Sequence, residues 1–244
     1  STSVKGMDEF VWNLHMLECF NEFFRNDASP IEIAFVSVIQ GFFDCCQLPT
    51  KLHGMESGSK GGLGEEVRAH SQDSKGSQRK SPQGKLGIIS KVSWKRAGTR
   101  LQLRGCDDEG NVSNFVYTTL FFELPSCGLF TFDIVRESVP LFWEQIGLQL
   151  GQHKIQMLRS FESSHEAFKR HFELILKRHE YIFIIDLLSQ SKSTSEYELS
   201  NAYRKHLLQL NNENVGYTCF DFNSICKNDF TQIYALMKKI VPIV

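Results

Sequence analysis

The chain has 244 residues, of which 41% are hydrophobic and 23% are charged, and its formal net charge is −1. This length can bury a substantial core, as one large domain or two small ones. The balanced charge argues against a general nucleic-acid binder, and no apolar run approaches the ~20 residues of a membrane span.

The seven cysteines do not form a recognisable metal or disulfide pattern. They are odd in number, they are scattered, and no Cys-x2-Cys pair has a matching partner pair. A zinc site is therefore not predicted, and a reducing, cytoplasmic setting fits best.

The stretch "CFNEFFR" has the form Cys-x5-Arg from Cys19 to Arg25. This is the spacing of phosphatases that attack phosphorus with a cysteine thiolate. A phosphate cradle needs small residues around inward-facing N–H groups, whereas this segment carries three Phe and a Glu. An apolar stripe at spacings of three and four instead predicts an amphipathic helix, with Cys19 as a buried small hydrophobe. The stripe comprises Phe10, Leu14, Leu17, Phe20 and Phe24.

The next segments predict an insertion between two ordered elements. Residues 31–46 are apolar and β-branched enough for a buried strand, interrupted at Gly41. Residues 54–85 are rich in Gly, Ser and charge, so they cannot bury enough surface to offset chain entropy. We predict that 54–85 is a disordered insertion.

Residues 85–138 predict an antiparallel meander. Strands are expected at 85–93 and, half-buried with a basic face, at 99–105. The turn "CDDEGN" follows, with Gly110 and Asn111 suited to positive φ. Two further strands are expected at 112–124 and 129–138.

The last third predicts alternating helices and strands. Capping boxes at Ser163-x-x-Glu166 and Ser193-x-x-Glu196 precede apolar helical stripes, and Asp229 can cap a final helix. Between them, "YIFIIDLL" and "VGYTCFDF" predict strands, which a right-handed crossover makes parallel. The predicted fold is α/β: a mixed sheet with an antiparallel meander and a parallel βαβ part, flanked by helices. The spacing of His165, His171 and His179 favours solvated helix faces for all three.

Cations are concentrated in "SKVSWKRAGTRLQLRG". Five of them fall within fourteen residues and a sixth, Arg136, follows on a later predicted strand. A solvated strand face explains some of these, and an anion site explains their clustering beside Ala97-Gly98, where a phosphate can approach the backbone. The five are Lys91, Lys95, Arg96, Arg100 and Arg104.

Blocks along almost the whole chain resemble the Sac-domain phosphoinositide phosphatases, the family that includes the lipid-phosphatase module of synaptojanins. "RAGTR", "GNVSNFV" and "SVPLFW" at the family's spacing are the most specific. The blocks are "FVWN" (10–13), "IQGFF" (39–43), "IISKVSWKRAGTRLQLRG" (88–105), "DDEGNVSNFV" (107–116), "RESVPLFWEQ" (136–145), "FKRHF" (168–172) and "FDFNSICKN" (220–228).

The resemblance implies a cytoplasmic enzyme, peripheral on membranes, that removes phosphate from inositol lipid head groups without metal or other cofactor. Its nucleophile is the Cys of a Cys-x5-Arg loop, which forms a phosphocysteine. That loop normally follows the helix corresponding to 228–241. We therefore expect residues 1–244 to be a partial Sac catalytic domain that is inactive alone, with the loop outside it.

Head-group contacts are predicted at Arg96, Arg100 and Arg136, with Asn114 as a polar positioning residue. Each Arg can equally serve the sheet surface. The expected partners are phosphoinositide lipids at a membrane surface, and possible protein partners, but no nucleic acid.

Departures from the family pattern support an alternative. The family's "RGS" is here Arg136-Glu137-Ser138, which places a carboxylate beside the predicted anion site, free to pair with Arg136 or a neighbouring Lys. Two acidic positions of the family's "NFVETEQ" are also missing at 117–120. The alternative is a catalytically degenerate Sac-like scaffold that binds lipid or protein partners.

Overall fold

The computed structural model describes residues 8–25, 37–48, 84–98, 103–124, 127–147, 154–227 and 230–240. The chain divides into two compact units. The larger unit comprises 1–41, 91–117 and 135–244, and the smaller unit comprises 42–90 and 118–134.

A four-stranded antiparallel sheet confirms the predicted meander, because its strands lie in sequence order. Side chains also join neighbouring strands: Ser90 and Thr118 are hydrogen-bonded at 2.8 Å, and Thr119 donates to Asp133 at 2.7 Å. The strands are β1 (Gly41–Gln47), β2 (Lys85–Val92), β3 (Val116–Leu124) and β4 (Gly128–Arg136).

The start of this sheet differs from the prediction. The strand expected at 31–46 begins only at Gly41, and all seven residues of β1 are exposed rather than buried. Apolar, β-branched sequence favours strand pairing, but burial needs a covering layer. Residues 31–36 lie outside the described part.

Two further predictions fall largely outside the described residues. Residues 49–83 are not described, so nearly all of the predicted insertion at 54–85 lies outside the described residues. Lys85, the last residue of that prediction, is the first residue of β2. Residues 99–102 are also outside, and the rest of the predicted strand 99–105 is irregular rather than extended.

The larger unit begins with a 3-10 helix, Asp8–Phe10, and with α1, Leu14–Arg25. Phe10 is buried against Phe115 and Tyr117, with ring centroids 6.3 and 5.9 Å away. The helix predicted around "CFNEFFR" is therefore confirmed, but Cys19 is exposed on it rather than buried.

The remaining elements alternate as expected. The parallel pairing of β7 with β8, in register from Ile182–Val215 to Asp186–Cys219, confirms the predicted crossover through α3. The elements are β5 (Trp143–Ile146), β6 (Lys154–Met157), α2 (Phe161–Leu176), β7 (Ile182–Asp186), α3 (Ser195–Leu210), β8 (Val215–Cys219), α4 (Phe222–Ile225) and α5 (Thr231–Ile240). Among the described strands, the meander, the antiparallel pair β5–β6 and the parallel pair β7–β8 are separate sheets.

Both helix starts differ slightly from the predicted caps. Ser160, not Ser163, caps α2, because its hydroxyl accepts from the Ser163 N–H. Thr194, not Ser193, caps α3 by accepting from the Tyr197 N–H. The predicted cap Asp229 lies outside the described residues.

The core of the larger unit lies between α2, α3 and the strands β5 and β6. The predicted apolar stripes of the two helices are buried in this core at Phe168 and Phe172 of α2 and at Leu199 and Tyr203 of α3. No helix among the described residues is long and apolar enough to cross a membrane.

Candidate functional site

Gly105 is the point at which three loops of the larger unit meet. Its N–H donates to the Ser138 hydroxyl at 2.9 Å, and its carbonyl accepts from the Ser113 N–H at 2.9 Å. Its φ is +67°, and a Cβ there would lie 2.2 Å from the carbonyl oxygen of Leu141. Only glycine meets both conditions, since a side chain is strained at this φ and has no room.

Arg96 is directed at this junction. Its Nε lies 3.2 Å from the Gly105 carbonyl oxygen and 3.1 Å from the Ser113 hydroxyl, and its Nη2 donates to the Arg104 carbonyl at 3.0 Å. These bonds hold the chain's own backbone, so Arg96 acts first as an anchor of residues 104–105.

Asn114 anchors the same segment from the other side. Its Nδ2 donates to the Leu103 carbonyl at 3.3 Å, and its φ is +58°. Asn tolerates this left-handed conformation better than most residues. The structure thus brings two predicted site residues, Arg96 and Asn114, onto 103–105. The third, Arg100, lies outside the described residues.

Arg136 ends β4 with an exposed side chain and makes no ion pair with any described residue. Two residues later, the Ser138 N–H donates to the Ser113 carbonyl at 3.0 Å. The segment that follows Arg136 is therefore tied to the junction that Arg96 holds.

Glu137 does not pair with Arg136 or with a lysine, as the sequence suggested, but with His171. Glu137 Oε1 lies 2.8 Å from His171 Nε2, and His171 Nδ1 lies 3.0 Å from the Gly110 carbonyl oxygen. The prediction that His171 is solvated is wrong, since it is 2% exposed. The signal was available: His171 follows Ala167 by four residues and Phe168 by three, on the buried face of α2.

The charge of His171 follows from these contacts. Burial on its own lowers the pKa of His171, but the Glu137 carboxylate and the Gly110 carbonyl outweigh it and raise the pKa above 6.5. The contact with the Glu137 carboxylate therefore favours the protonated form of His171 inside the larger unit.

The predicted turn at 106–111 is confirmed and carries the Gly110 carbonyl to His171. Asp107 Oδ1 accepts from the N–H groups of Glu109 and Asn111 at 3.1 and 2.8 Å. Gly110 has φ +83°, as expected, whereas Asn111 does not have a positive φ. A Cβ at Gly110 would lie 2.7 Å from the backbone nitrogen of His171.

Two other cations of the predicted cluster, Lys91 and Arg104, make contacts inside the protein. The Nζ of Lys91 lies 5.2 and 5.0 Å from the ring centroids of Phe10 and Tyr117, and Lys91 is buried. Arg104 donates to Gln145 Oε1 at 2.9 Å and lies over the Trp143 ring. Among the described residues of the cluster, Lys91, Arg96 and Arg104 are therefore used in internal contacts and do not form one surface of cations.

A cavity of about 270 Å³ adjoins His171 in the larger unit. Lys95 and Arg178 line it, but so do Asp8 and Glu9, and Arg178 donates to Glu9. The mixed charge gives no preference for a phosphate.

Among the described residues, neither Cys106 nor Cys19 has the surroundings of a phosphatase nucleophile. Burial raises the pKa of Cys106 to about 12, although Arg96 acts in the opposite direction, so Cys106 is a thiol at neutral pH. Cys19 is exposed on α1. No group of three metal-ligating side chains occurs among the residues that the structure describes.

Asp186 is a buried carboxylate that the sequence did not single out as a polar centre. It lies at the carboxyl end of β7 and accepts from Ser200, Tyr217 and the Leu188 N–H. Three donors satisfy it, which indicates a structural network joining β7, β8 and α3.

Comparison with known proteins identifies the family to which the chain is similar. The family model described as SacI homology domain matches residues 1–227. Polyphosphatidylinositol phosphatase INP53 of Saccharomyces cerevisiae is 39% identical over 163 residues, which are 65% of this chain and 14% of that protein.

Two further relatives agree. Synaptojanin-1 of Rattus norvegicus is 38% identical over 146 residues, 59% of this chain and 9% of that protein. Inositol-1,4,5-trisphosphate 5-phosphatase 1 of Schizosaccharomyces pombe is 39% identical over 142 residues, 57% of this chain and 13% of that protein. The matched regions are thus a small part of each of these relatives.

Proposed function

Because the chain belongs to the SacI homology domain family, we propose that the whole protein is a phosphoinositide phosphatase, which hydrolyses phosphate from inositol lipid head groups. The match of residues 1–227 to the family model carries this proposal. The name of INP53, a polyphosphatidylinositol phosphatase, agrees with it. The enzyme works in the cytoplasm, peripherally at a membrane surface.

The nucleophile belongs to a Cys-x5-Arg loop outside this chain. Cys19 and Arg25, the pair with that spacing here, both lie in α1, where the backbone N–H groups are turned along the helix axis rather than gathered around an anion. A thiolate at such a position lacks the N–H cradle that phosphoryl transfer requires.

Head-group contact is assigned to Arg136 and Arg100, with Arg96 and Asn114 as positioning residues. Arg136 is exposed and offers its guanidinium to a phosphate. Arg96 and Asn114 hold the backbone carbonyls of residues 103–105. The segment that follows Arg136 is thus tied to the junction that Arg96 and Asn114 support.

The second candidate is a catalytically degenerate Sac-like scaffold, which binds lipid or protein partners without turnover. The departure of Glu137 from the family sequence favours it, but the Glu137 carboxylate is bound to His171 and not to Arg136, which weakens that argument.

The test is phosphate release from vesicles that carry mono- or bis-phosphorylated phosphatidylinositol, with unphosphorylated phosphatidylinositol vesicles as the control. We expect release by the whole protein, none by residues 1–244 alone, and no effect of Cys19→Ser on the whole protein. Binding without release by the whole protein identifies the scaffold. Turnover by residues 1–244 that Cys19→Ser abolishes contradicts the placement of the nucleophile.

A further inference from the structure

Arg136 and Glu137 are adjacent and opposite in charge, yet they do not pair. The Arg136 side chain is exposed, whereas Glu137 Oε1 lies 2.8 Å from His171 Nε2 and the Glu137 side chain is only 17% exposed. Successive side chains at the end of a strand point to opposite sides, which separates the two charges.

His171 keeps Glu137 inside the protein by a contact that needs a proton. A carbonyl oxygen only accepts hydrogen bonds, so His171 Nδ1 carries a hydrogen toward Gly110. Nε2 faces a carboxylate oxygen at 2.8 Å and therefore needs a hydrogen as well. A neutral imidazole has only one ring hydrogen. One of its nitrogens would therefore face either the Gly110 carbonyl or the Glu137 carboxylate with a lone pair, and that hydrogen bond would be lost.

The backbone on the other side of Glu137 is fixed independently. Ser138 is bound through its N–H to the Ser113 carbonyl and through its hydroxyl to the Gly105 N–H. Loss of the His171 contact would thus release the Glu137 side chain without releasing the segment itself.

We propose that His171 is a positioning residue that holds the Glu137 carboxylate away from Arg136 and so keeps the Arg136 guanidinium available to a phosphate. The phosphate as ligand rests on the proposed function, whereas the availability of Arg136 does not. Without the imidazolium, Glu137 turns to its neighbour and neutralises it. Glu9 is the other carboxylate that acts on His171, and it stays engaged by Arg178.

The availability of Arg136 can be measured without any lipid, by the rate at which phenylglyoxal modifies each arginine in residues 1–244. Peptide mass spectrometry gives the Arg136 rate relative to Arg178, which is ion-paired with Glu9 and serves as the internal standard. We expect Arg136 to react faster than Arg178 in the wild type, several-fold more slowly in His171→Gln, and at the wild-type rate in His171→Gln/Glu137→Gln. Unchanged reactivity in His171→Gln, or no rescue in the double variant, overturns the proposal.

The wild-type protein provides the same test without a substitution at His171. As pH rises through the folded-state pKa of His171, the ratio of the Arg136 rate to the Arg178 rate falls. In Glu137→Gln, which has no carboxylate to release, the ratio stays constant. Parallel pH profiles for the two proteins contradict the proposal even if His171→Gln fails to fold.

Vesicles containing phosphatidylinositol bisphosphate in phosphatidylcholine then test the ligand. Loss of one charge-assisted hydrogen bond predicts roughly tenfold weaker binding by His171→Gln, rescue by His171→Gln/Glu137→Gln, and no further loss from His171→Gln when Arg136 is already Ala. Wild-type protein that shows the expected Arg136 reactivity but does not bind these vesicles contradicts head-group binding by this chain and leaves the positioning role of His171 supported.

Discussion

The hydroxyl of Ser138 accepts a hydrogen bond from the backbone N–H of Gly105 at 2.9 Å, across 33 positions of sequence. Ser113 completes the junction by donating to the Gly105 carbonyl and accepting from the Ser138 N–H. The segment that follows Arg136 is therefore joined with Gly105 and Ser113 by three hydrogen bonds, two between backbone groups and one to the Ser138 hydroxyl.

Ser138→Ala should lower the free energy of unfolding by about 1–3 kcal/mol, because it leaves the buried Gly105 N–H without an acceptor. Urea titration measures the change. Ser191→Ala is the matched control, since the Ser191 hydroxyl is exposed and bonds to the Ser193 hydroxyl, so its loss should cost little. Equal losses in the two variants would show that the junction contributes no more than a surface serine.

Gly105→Ala should be more damaging than Gly128→Ala. Both residues have positive φ, so both substitutions strain the backbone by about 1–3 kcal/mol. Only at Gly105 does the new Cβ also meet a carbonyl oxygen at 2.2 Å, whereas nothing lies within 4 Å at Gly128. Circular dichroism during urea unfolding compares them, and a Gly105 variant as stable as the Gly128 variant would disagree with the packing at Leu141.

Arg136→Ala and Arg96→Ala should weaken phosphoinositide-vesicle binding in distinguishable ways. Arg136 is exposed, so its loss should reduce affinity more at low than at high salt and leave the melting temperature unchanged. Arg96 holds the Gly105 and Arg104 carbonyls, so its loss should lower the melting temperature and weaken binding at both salt concentrations. A destabilised Arg136 variant, or a normally melting Arg96 variant, would reverse the assignment of roles.

The Glu137–His171 pair predicts stability that is lost in alkaline solution. The folded-state pKa of His171 is raised above 6.5, so its contribution is complete below about pH 6.5 and disappears as pH rises through the folded-state value. Urea titrations over this range should show the loss in wild type and a smaller loss in Glu137→Gln. Identical pH profiles for wild type and Glu137→Gln would mean that Glu137 does not raise the pKa of His171.

His206 predicts the opposite dependence. Burial, and then the neighbouring His165, lower the pKa of His206 to about 4, so the unfolded chain binds this proton more readily. Stability should fall as pH drops from 6.5 toward 4, and His206→Phe, which keeps an aromatic ring beside Phe161, should flatten that fall. Urea titrations from pH 6.5 to 4 measure this, and equal falls in the two proteins would contradict the lowered pKa of His206.

The sequence determined those features that depend on near neighbours. The meander follows from alternation and turn residues, such as Gly110 with its φ of +83°, and the parallel pair β7–β8 follows from the strand–helix–strand order. The family follows from motifs such as "RAGTR" and "SVPLFW". Each of these signals is local or is repeated along the chain, so it can be recognised without knowledge of the tertiary packing of the helices and strands.

Only the tertiary structure decided which polar side chains meet. The predicted ligand contact of Arg96 stays a prediction, but only the structure shows that its guanidinium holds the carbonyl of Gly105, nine positions away. His171 was expected in solvent and is buried against Glu137, 34 positions away. Hydrogen bonds between distant segments depend on how the loops cross in space, and the spacing of residues does not encode that crossing. The sequence therefore gives the charge of a side chain, but not the partner that the side chain binds.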